Sequence, residues 1–181
     1  MSQNNETDNP DQKTQQQKLG KTMLGICWII VLIGLTFAFG NWEEKQYNPN
    51  QSLTGSETGT FKELVLQANR KNHYILSGKI NGKEVTFLLD TGATDVAVPA
   101  HLGEKLNLKP GFRSKAITAN GIVEVRDTNI RQLDIGNIQL FDVNASLNPG
   151  MQGNEILLGM SALKQLEFIQ RGNQLTLRHY F

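Results

Sequence analysis

Asp90 is the residue in this sequence best placed to do chemistry. It follows Phe87, Leu88 and Leu89 and leads into Thr91, Gly92 and Ala93. A carboxyl group at the end of an apolar run starts from low-dielectric surroundings. Ionisation there is disfavoured unless hydrogen bonds or a partner charge offset the cost, which suits an acid used for proton transfer. Gly92 lets the backbone turn tightly and leaves its own N–H open to a nearby group. Asp-Thr-Gly also suits a plain turn in which Asp90 bonds its own backbone, so the flanking sequence has to decide between the two.

Composition narrows the classes. The chain has 181 residues, 39% of them apolar, and a formal charge of +1, which suits one ordinary domain with appendages. Lys and Arg are scattered, so no basic footprint for nucleic acid forms outside the N-terminal segment. The single cysteine, Cys27, has no partner for an intramolecular disulfide, and His73, His101 and His179 lack metal-ligand spacing. We therefore expect no metal, no cofactor and no nucleic acid.

The elements around Asp90 fall into a clear order. Residues 1–20 are rich in Asn, Gln, Thr, Asp and Lys, with no apolar face, and are expected to be a disordered tail. Residues 21–41 contain Thr22 to Gly40, a stretch without a charge that is long enough to span a bilayer as a helix. Ala38-Phe39-Gly40 imitates a signal-peptide cleavage pattern. The preceding segment is long for a signal sequence, however, and the span is taken as retained. Lys13, Lys18 and Lys21 precede it, whereas Lys45 follows beside Glu43 and Glu44. This bias puts the N-terminus in the cytoplasm and everything after Trp42 across the membrane, in the periplasm if the cell is Gram-negative. Cys27 sits within the span as an apolar filler. Residues 42–60, with Pro49 and Gly55 among Asn, Ser, Thr and Gln, suggest a flexible linker.

Residues 61–181 form the expected folded domain. Four turn dipeptides, Asn81-Gly82, Asn120-Gly121, Gly136-Asn137 and Gly172-Asn173, each divide two strand-like runs, which predicts an antiparallel, hairpin-built all-β fold. Two short helical pieces are expected, Pro99 to Leu106 and Ser161 to Leu166, the second with Ser161 as its cap. A small closed β barrel fits this pattern better than a sandwich. His101 and His179 are assigned to surface or packing positions, Lys109, Arg113 and Lys115 to a solvated loop, and Met151 and Met160 to gaps in the core.

Leu88-Leu89-Asp90-Thr91-Gly92-Ala93 in such a domain resembles the active-site loop of retropepsin-like aspartic proteases. In that family a later apolar strand ending in Gly packs under the loop and enters a short helix. Ile156-Leu157-Leu158-Gly159 followed by Met160 to Leu166 matches it. The hairpin around Thr118, Ala119, Asn120 and Gly121 occupies the place of the family's flap, which folds over substrate. The resemblance covers roughly Tyr74 to Tyr180, and the layout is most similar to bacterial single-pass membrane members of the clan.

The resemblance implies an aspartic endopeptidase with Asp90 as catalyst, Thr91, Gly92 and Ala93 supporting the loop, and Leu157, Leu158 and Gly159 beneath it. Peptide hydrolysis by water, without metal or covalent nucleophile, needs both a base and an acid, and two adjacent carboxyls sharing a proton supply them. The sequence contains one Asp-Thr-Gly and no Asp-Ser-Gly, and Asp95, Asp127, Asp134 and Asp142 lack the small-residue turn. The second carboxyl must then come from a second copy, which makes the expected form a homodimer with the site on its two-fold axis. A peptide or protein substrate would lie extended under two flaps, and residues 22–40 would hold the enzyme in a lipid bilayer.

Two features depart from the retroviral pattern. Thr94 stands where those members usually carry an Asp that grips substrate, with Asp95 one place later. The tail from Leu175 to Phe181 is apolar enough to interleave with a second copy, as retroviral tails do. Two other functions are compatible with parts of the sequence. One is a catalytically silent copy of the fold that binds peptides or dimerises. The other is a phosphoaspartyl enzyme, against which the lack of alternating βα units counts.

Overall fold

The computed structural model describes residues 10–118 and 121–180, with side chains from Met23 onward except Asn41. Residues 1–9 of the expected tail, and Ala119 and Asn120 of the expected flap, lie outside the described residues. The chain forms two units, residues 1–44 and 45–181.

The first unit is built from helix α1 (Pro10–Tyr47). Its stretch from Met23 is long and apolar enough to cross a membrane, a property shared with signal sequences. Trp28, Ile30, Phe37 and their neighbours are all exposed along it. Residues 10–20, expected to be disordered, are helical here. An apolar helix, once nucleated, propagates readily through Gln and Lys, which are good helix formers.

The second unit is all-β apart from short helical turns. In chain order it contains β1 (Gly55–Glu57), β2 (Phe61–Gln67), β3 (Ile75–Ile80), β4 (Lys83–Leu89), β5 (Val96–Pro99), β6 (Arg113–Thr118), β7 (Gly121–Ile135), β8 (Ile138–Asn148), β9 (Glu155–Leu158), α2 (Met160–Leu163), β10 (Glu167–Arg171) and β11 (Gln174–Tyr180). A seven-stranded sheet runs β3-β4-β9-β5-β8-β7-β6, and an added β3–β7 pairing closes it into a small barrel with β6 left outside. The barrel interior is filled by Leu76, Ile80, Phe87, Val96, Val98, Ile130, Leu133, Ile135, Ile138, Leu140 and Ile156, all buried. The period-2 pattern of the strands thus places one face inward, as expected.

All four turn dipeptides separate paired strands, with the tip of the second outside the described residues. The ladders are not all antiparallel. β4 pairs with β9, and β5 with β8, in parallel. Hairpin signals cannot announce these pairings, because they join segments far apart in sequence.

The expected linker at 42–60 differs from the structure. Helix α1 continues to Tyr47, and Asn48 and Asn50 are buried. The Asn50 amide donates to Gln67 O at 2.9 Å and Ile75 O at 2.6 Å, while its Oδ1 accepts from Gln67 N at 2.7 Å, so it ties β2 to β3. The polar composition suggests a linker, yet the Asn50 amide takes the place of a ladder residue. Residues 55–57 then form β1. The second sheet, β1-β2-β11-β10, holds β11 between β2 and β10. From Gln174 to Arg178 both edges of β11 are therefore occupied within the chain, which corrects for these residues the expectation that the tail Leu175 to Phe181 interleaves with a second copy; His179 and Tyr180 pair with β2, and Phe181 lies outside the described residues.

Candidate active site

β4 ends at Leu89, and Asp90 opens the loop that leads to β5. Strand β9 lies between β4 and β5, matching Leu88 with Leu157 and Leu89 with Leu158 on one side and Leu157 with Ala97 on the other. The Asp90 N–H donates to Leu158 O at 3.1 Å, which continues the β4–β9 ladder to the catalytic candidate itself. Phe87, Ile156 and Leu158 are fully buried beneath it. The loop is therefore anchored in the barrel core.

Past Asp90 the loop folds on itself. Gly92 N–H donates to Asp90 Oδ1 at 2.9 Å, and Ala93 N–H to Asp90 O at 3.3 Å. The self-capped turn and the candidate catalytic loop are thus one conformation. Gly92 does not hold its N–H open, and that donor fixes one carboxylate oxygen of Asp90, leaving Oδ2 for other partners. Asp90 is half-buried, while Thr91, Gly92 and Thr94 are exposed.

The start of α2 grips the far side of the loop. Met160 N–H donates to Ala93 O at 2.8 Å and Ser161 N–H to Thr94 O at 2.9 Å. A Cβ at Gly159 would lie 2.2 Å from Asp95 O and 2.8 Å from Ala93 O, so any side chain there would push the loop off its support. Ser161 is not the helix cap expected from the sequence; Gly159 holds that position, without a side-chain bond. The Ser161 hydroxyl instead donates to Asn144 O at 2.7 Å and accepts from Val96 N at 3.0 Å, which pins β5 and β8 to the helix. Sequence reasoning missed this role, because its partners lie 17 and 65 residues away. Met160, expected in the core, is 37% exposed beside the loop.

The other expected helix is shorter than its signal. Only Ala100–Leu102 forms a helical turn, and His101 bonds Asn154 on the surface. The flap candidate is the β6–β7 hairpin, where Ile117 faces Ile122 and Thr118 Oγ1 donates to Gly121 O at 2.8 Å. β7 is long because its second half belongs to the barrel while its first half extends out to pair with β6. On the hairpin Ile117 is 89% and Ile122 69% exposed. A cavity of about 650 Å³ lined by Gln51, Ser77, Lys79, Glu84, Asp134 and Gln139 includes none of the Asp90 loop and lies apart from the catalytic candidate. Among the described residues no His, Cys, Asp and Glu cluster is arranged for a metal.

Residues 76–165 match the family model described as gag-polyprotein putative aspartyl protease. The fold is that of a retropepsin-like aspartic protease from Rickettsia conorii, with a TM-score of 0.56 and 22% identity, over 71% of this chain and 96% of that one. This domain belongs to the retropepsin-like aspartic protease family. Asp90 to Ala93, β9 and the whole β6–β7 hairpin fall inside the matched span. The chain is also similar to two uncharacterized proteins. One, from a Sinorhizobium species and described by its place in the cobV 5′ region, is 29% identical over 83% of this chain and 70% of its own length. The other, RP867 of Rickettsia prowazekii, is 22% identical over 87% of this chain and 69% of its own.

Proposed function

We propose that the protein is a membrane-anchored aspartic endopeptidase whose active site forms when two copies bring their Asp90 side chains together. The observation that carries this reading is the Asp90 loop. A half-buried carboxylate, its backbone tied into the core through Leu158 O and one oxygen held by Gly92 N–H, stands at the end of a barrel strand. A loop held this firmly is prepared to meet a second group with little reorganisation.

In the mechanism, the two Asp90 carboxyls share one proton, because like charges a few ångströms apart resist joint ionisation. The ionised member takes a proton from water as the water oxygen bonds to the peptide carbonyl carbon. The protonated member gives its proton to the carbonyl oxygen. The resulting diol collapses, the C–N bond breaks, and a carboxyl returns a proton to the leaving amine. Thr91 would bond across the two-fold axis and the Gly92 backbone would contact substrate, as the family resemblance implies. Ile117 and Ile122 would close over an extended peptide, whose main chain supplies most of the recognition.

Helix α1 would serve as a retained anchor, with the N-terminus cytoplasmic and the catalytic domain outside the cytoplasm, in keeping with the Lys bias before the span. A reporter fused after Phe181 tests this orientation, and a cytoplasmic signal would refute it.

The activity test compares the full chain with Asp90→Asn, assaying cleavage of a peptide library between pH 4 and 8. The substitution should lower cleavage by at least about 10³-fold with dimerisation unchanged, since it removes the acid–base group from both halves at once. Cleavage that survives would exclude the aspartic mechanism. Peptide binding without cleavage by the unsubstituted chain would favour the silent module.

A further inference from the structure

The segment that follows the apolar stretch joins the folded domain almost at once. The charge-free stretch ends at Gly40, and helix α1 runs on to Tyr47. Asn69 Nδ2 then donates to Tyr47 O at 3.1 Å, and Asn48 Nδ2 to Ser77 Oγ at 3.1 Å. Asn50 N–H donates to Asn48 Oδ1 at 3.0 Å, and Ser77 N–H to Asn50 O at 3.2 Å. Together with the Asn50 amide bonds to β2 and β3, these contacts leave Pro49 between two buried residues, its φ fixed by its own ring. The stem is therefore short and stiff.

It also joins the domain beside the site. Asn50 forms a parallel bridge with Leu76 of β3, Leu76 faces Phe87 of β4, and Asp90 follows shortly after Phe87. Two strand spacings across and three residues along put Asp90 about 14 Å from Asn50. The stem from Gly40 to Asn50 adds about 20 Å as it stands, and no more than about 35 Å drawn straight. Asp90 thus reaches about 35 Å from the end of the apolar stretch and at most about 50 Å, for any angle between α1 and the domain, since the bound counts chain alone. A linker loose as far as Thr60 would instead extend to about 70 Å before the domain began.

We propose that the substrates are polypeptides held in the same bilayer, cut in the extended stem that joins their outer domain to their own span, so that the reaction releases that domain; the inference rests on the anchored-peptidase reading above. Water adds across the C–N bond, leaving a carboxyl on one fragment and an amine on the other. Confinement to one bilayer raises the local concentration of a substrate only where the two sites meet at the same height. A short, stiff stem fixes that height near the surface. A substrate's stem is also extended and unpaired, which is the form that a strand-binding cleft takes.

The test places the full chain in phosphatidylcholine vesicles with one library peptide that it cleaves in free form. The peptide is attached to a single membrane-spanning helix, either directly or on a helical Glu/Ala/Lys spacer of about 40 residues, about 60 Å tall. The unsubstituted chain should cut the near copy at least about tenfold faster than the far one. Inserting the same spacer between Glu44 and Lys45 should reverse the preference, with cleavage of free peptide unchanged because the site is intact. Equal cleavage of both copies, in a chain whose activity needs Asp90, would overturn the inference and leave the peptidase reading standing. A preference that the inserted spacer does not move would overturn it too, since the height would then not come from the stem. A chain that washes off the vesicles yet cleaves free peptide would overturn the anchor and the inference together. Cleavage of no peptide in any form would overturn the peptidase reading and the inference with it.

Discussion

The Asp90 loop and the β6–β7 hairpin face opposite mechanical demands, and the chain is built differently in each. The loop carries backbone bonds to Leu158, Met160 and Ser161, has buried Phe87, Ile156 and Leu158 beneath it, and rests against a position that only glycine fits. The hairpin leaves the barrel, and its strand β6 alternates between exposed and half-buried with no core face. Its one described ion pair, Arg113 with Glu124 at 3.1 Å, is solvent-exposed and contributes little. On the proposed reading, a group to be aimed is fixed by the core, whereas a cover for peptide is kept free of it. The substitutions that follow separate these two regimes.

Gly159→Ala should have the largest effect, because the added Cβ meets the backbone carbonyls of Asp95 and Ala93, which cannot swing aside. Denaturant unfolding should show a loss of about 1–3 kcal/mol, and displacement of the loop should lower kcat/KM about 10²-fold. Ser161→Ala should come next. It leaves the buried Val96 N–H without its acceptor, and unfolding should register about 1–3 kcal/mol with a smaller change in kcat. Ile117→Ser should reverse the signature. Stability should stay within about 0.5 kcal/mol, since the side chain is exposed, while KM rises about tenfold with the lost apolar contact to substrate. Equal stability losses in Gly159→Ala and Ile117→Ser would erase the distinction.

The smallest effect concerns Glu155 at the start of β9. Burial raises its carboxyl above the ordinary glutamate value, and its Oε1 is enclosed without a hydrogen-bond partner. A raised folded-state pKa means that the charged form is disfavoured in the fold. Stability is then lost as pH climbs from the unfolded toward the folded value. Glu155→Gln should therefore show a slightly higher Tm than the unsubstituted chain at pH 7. The gap should close below the ordinary glutamate range, and a gap that widened in acid would contradict this assignment.

The elements that build the candidate site were legible in local sequence because their signals are local. Asp90-Thr91-Gly92 ends an apolar strand, Leu157-Leu158-Gly159 ends another, and four turn dipeptides divide strands as expected. Misreadings arose where a residue's partner lies far along the chain. Asn48 and Asn50 look like linker residues until β2 and β3 come together around them. Ser161 looks like a cap until Val96 and Asn144 reach its hydroxyl. Propensity describes a residue's own backbone, and polar side chains of this kind serve the backbone of distant segments.

The sequence by itself determined that this chain has one Asp-Thr-Gly at the end of an apolar run, an apolar N-terminal helix, and hairpin strands with one apolar face, because composition and short-range spacing encode these directly. Only the tertiary structure decided which strands lie side by side. It put β9 between β4 and β5 under Asp90, and it placed β11 inside its sheet with β10 at the edge. These pairings join segments that are distant in sequence, and they are selected by how the closed barrel buries its interior and satisfies its backbone groups.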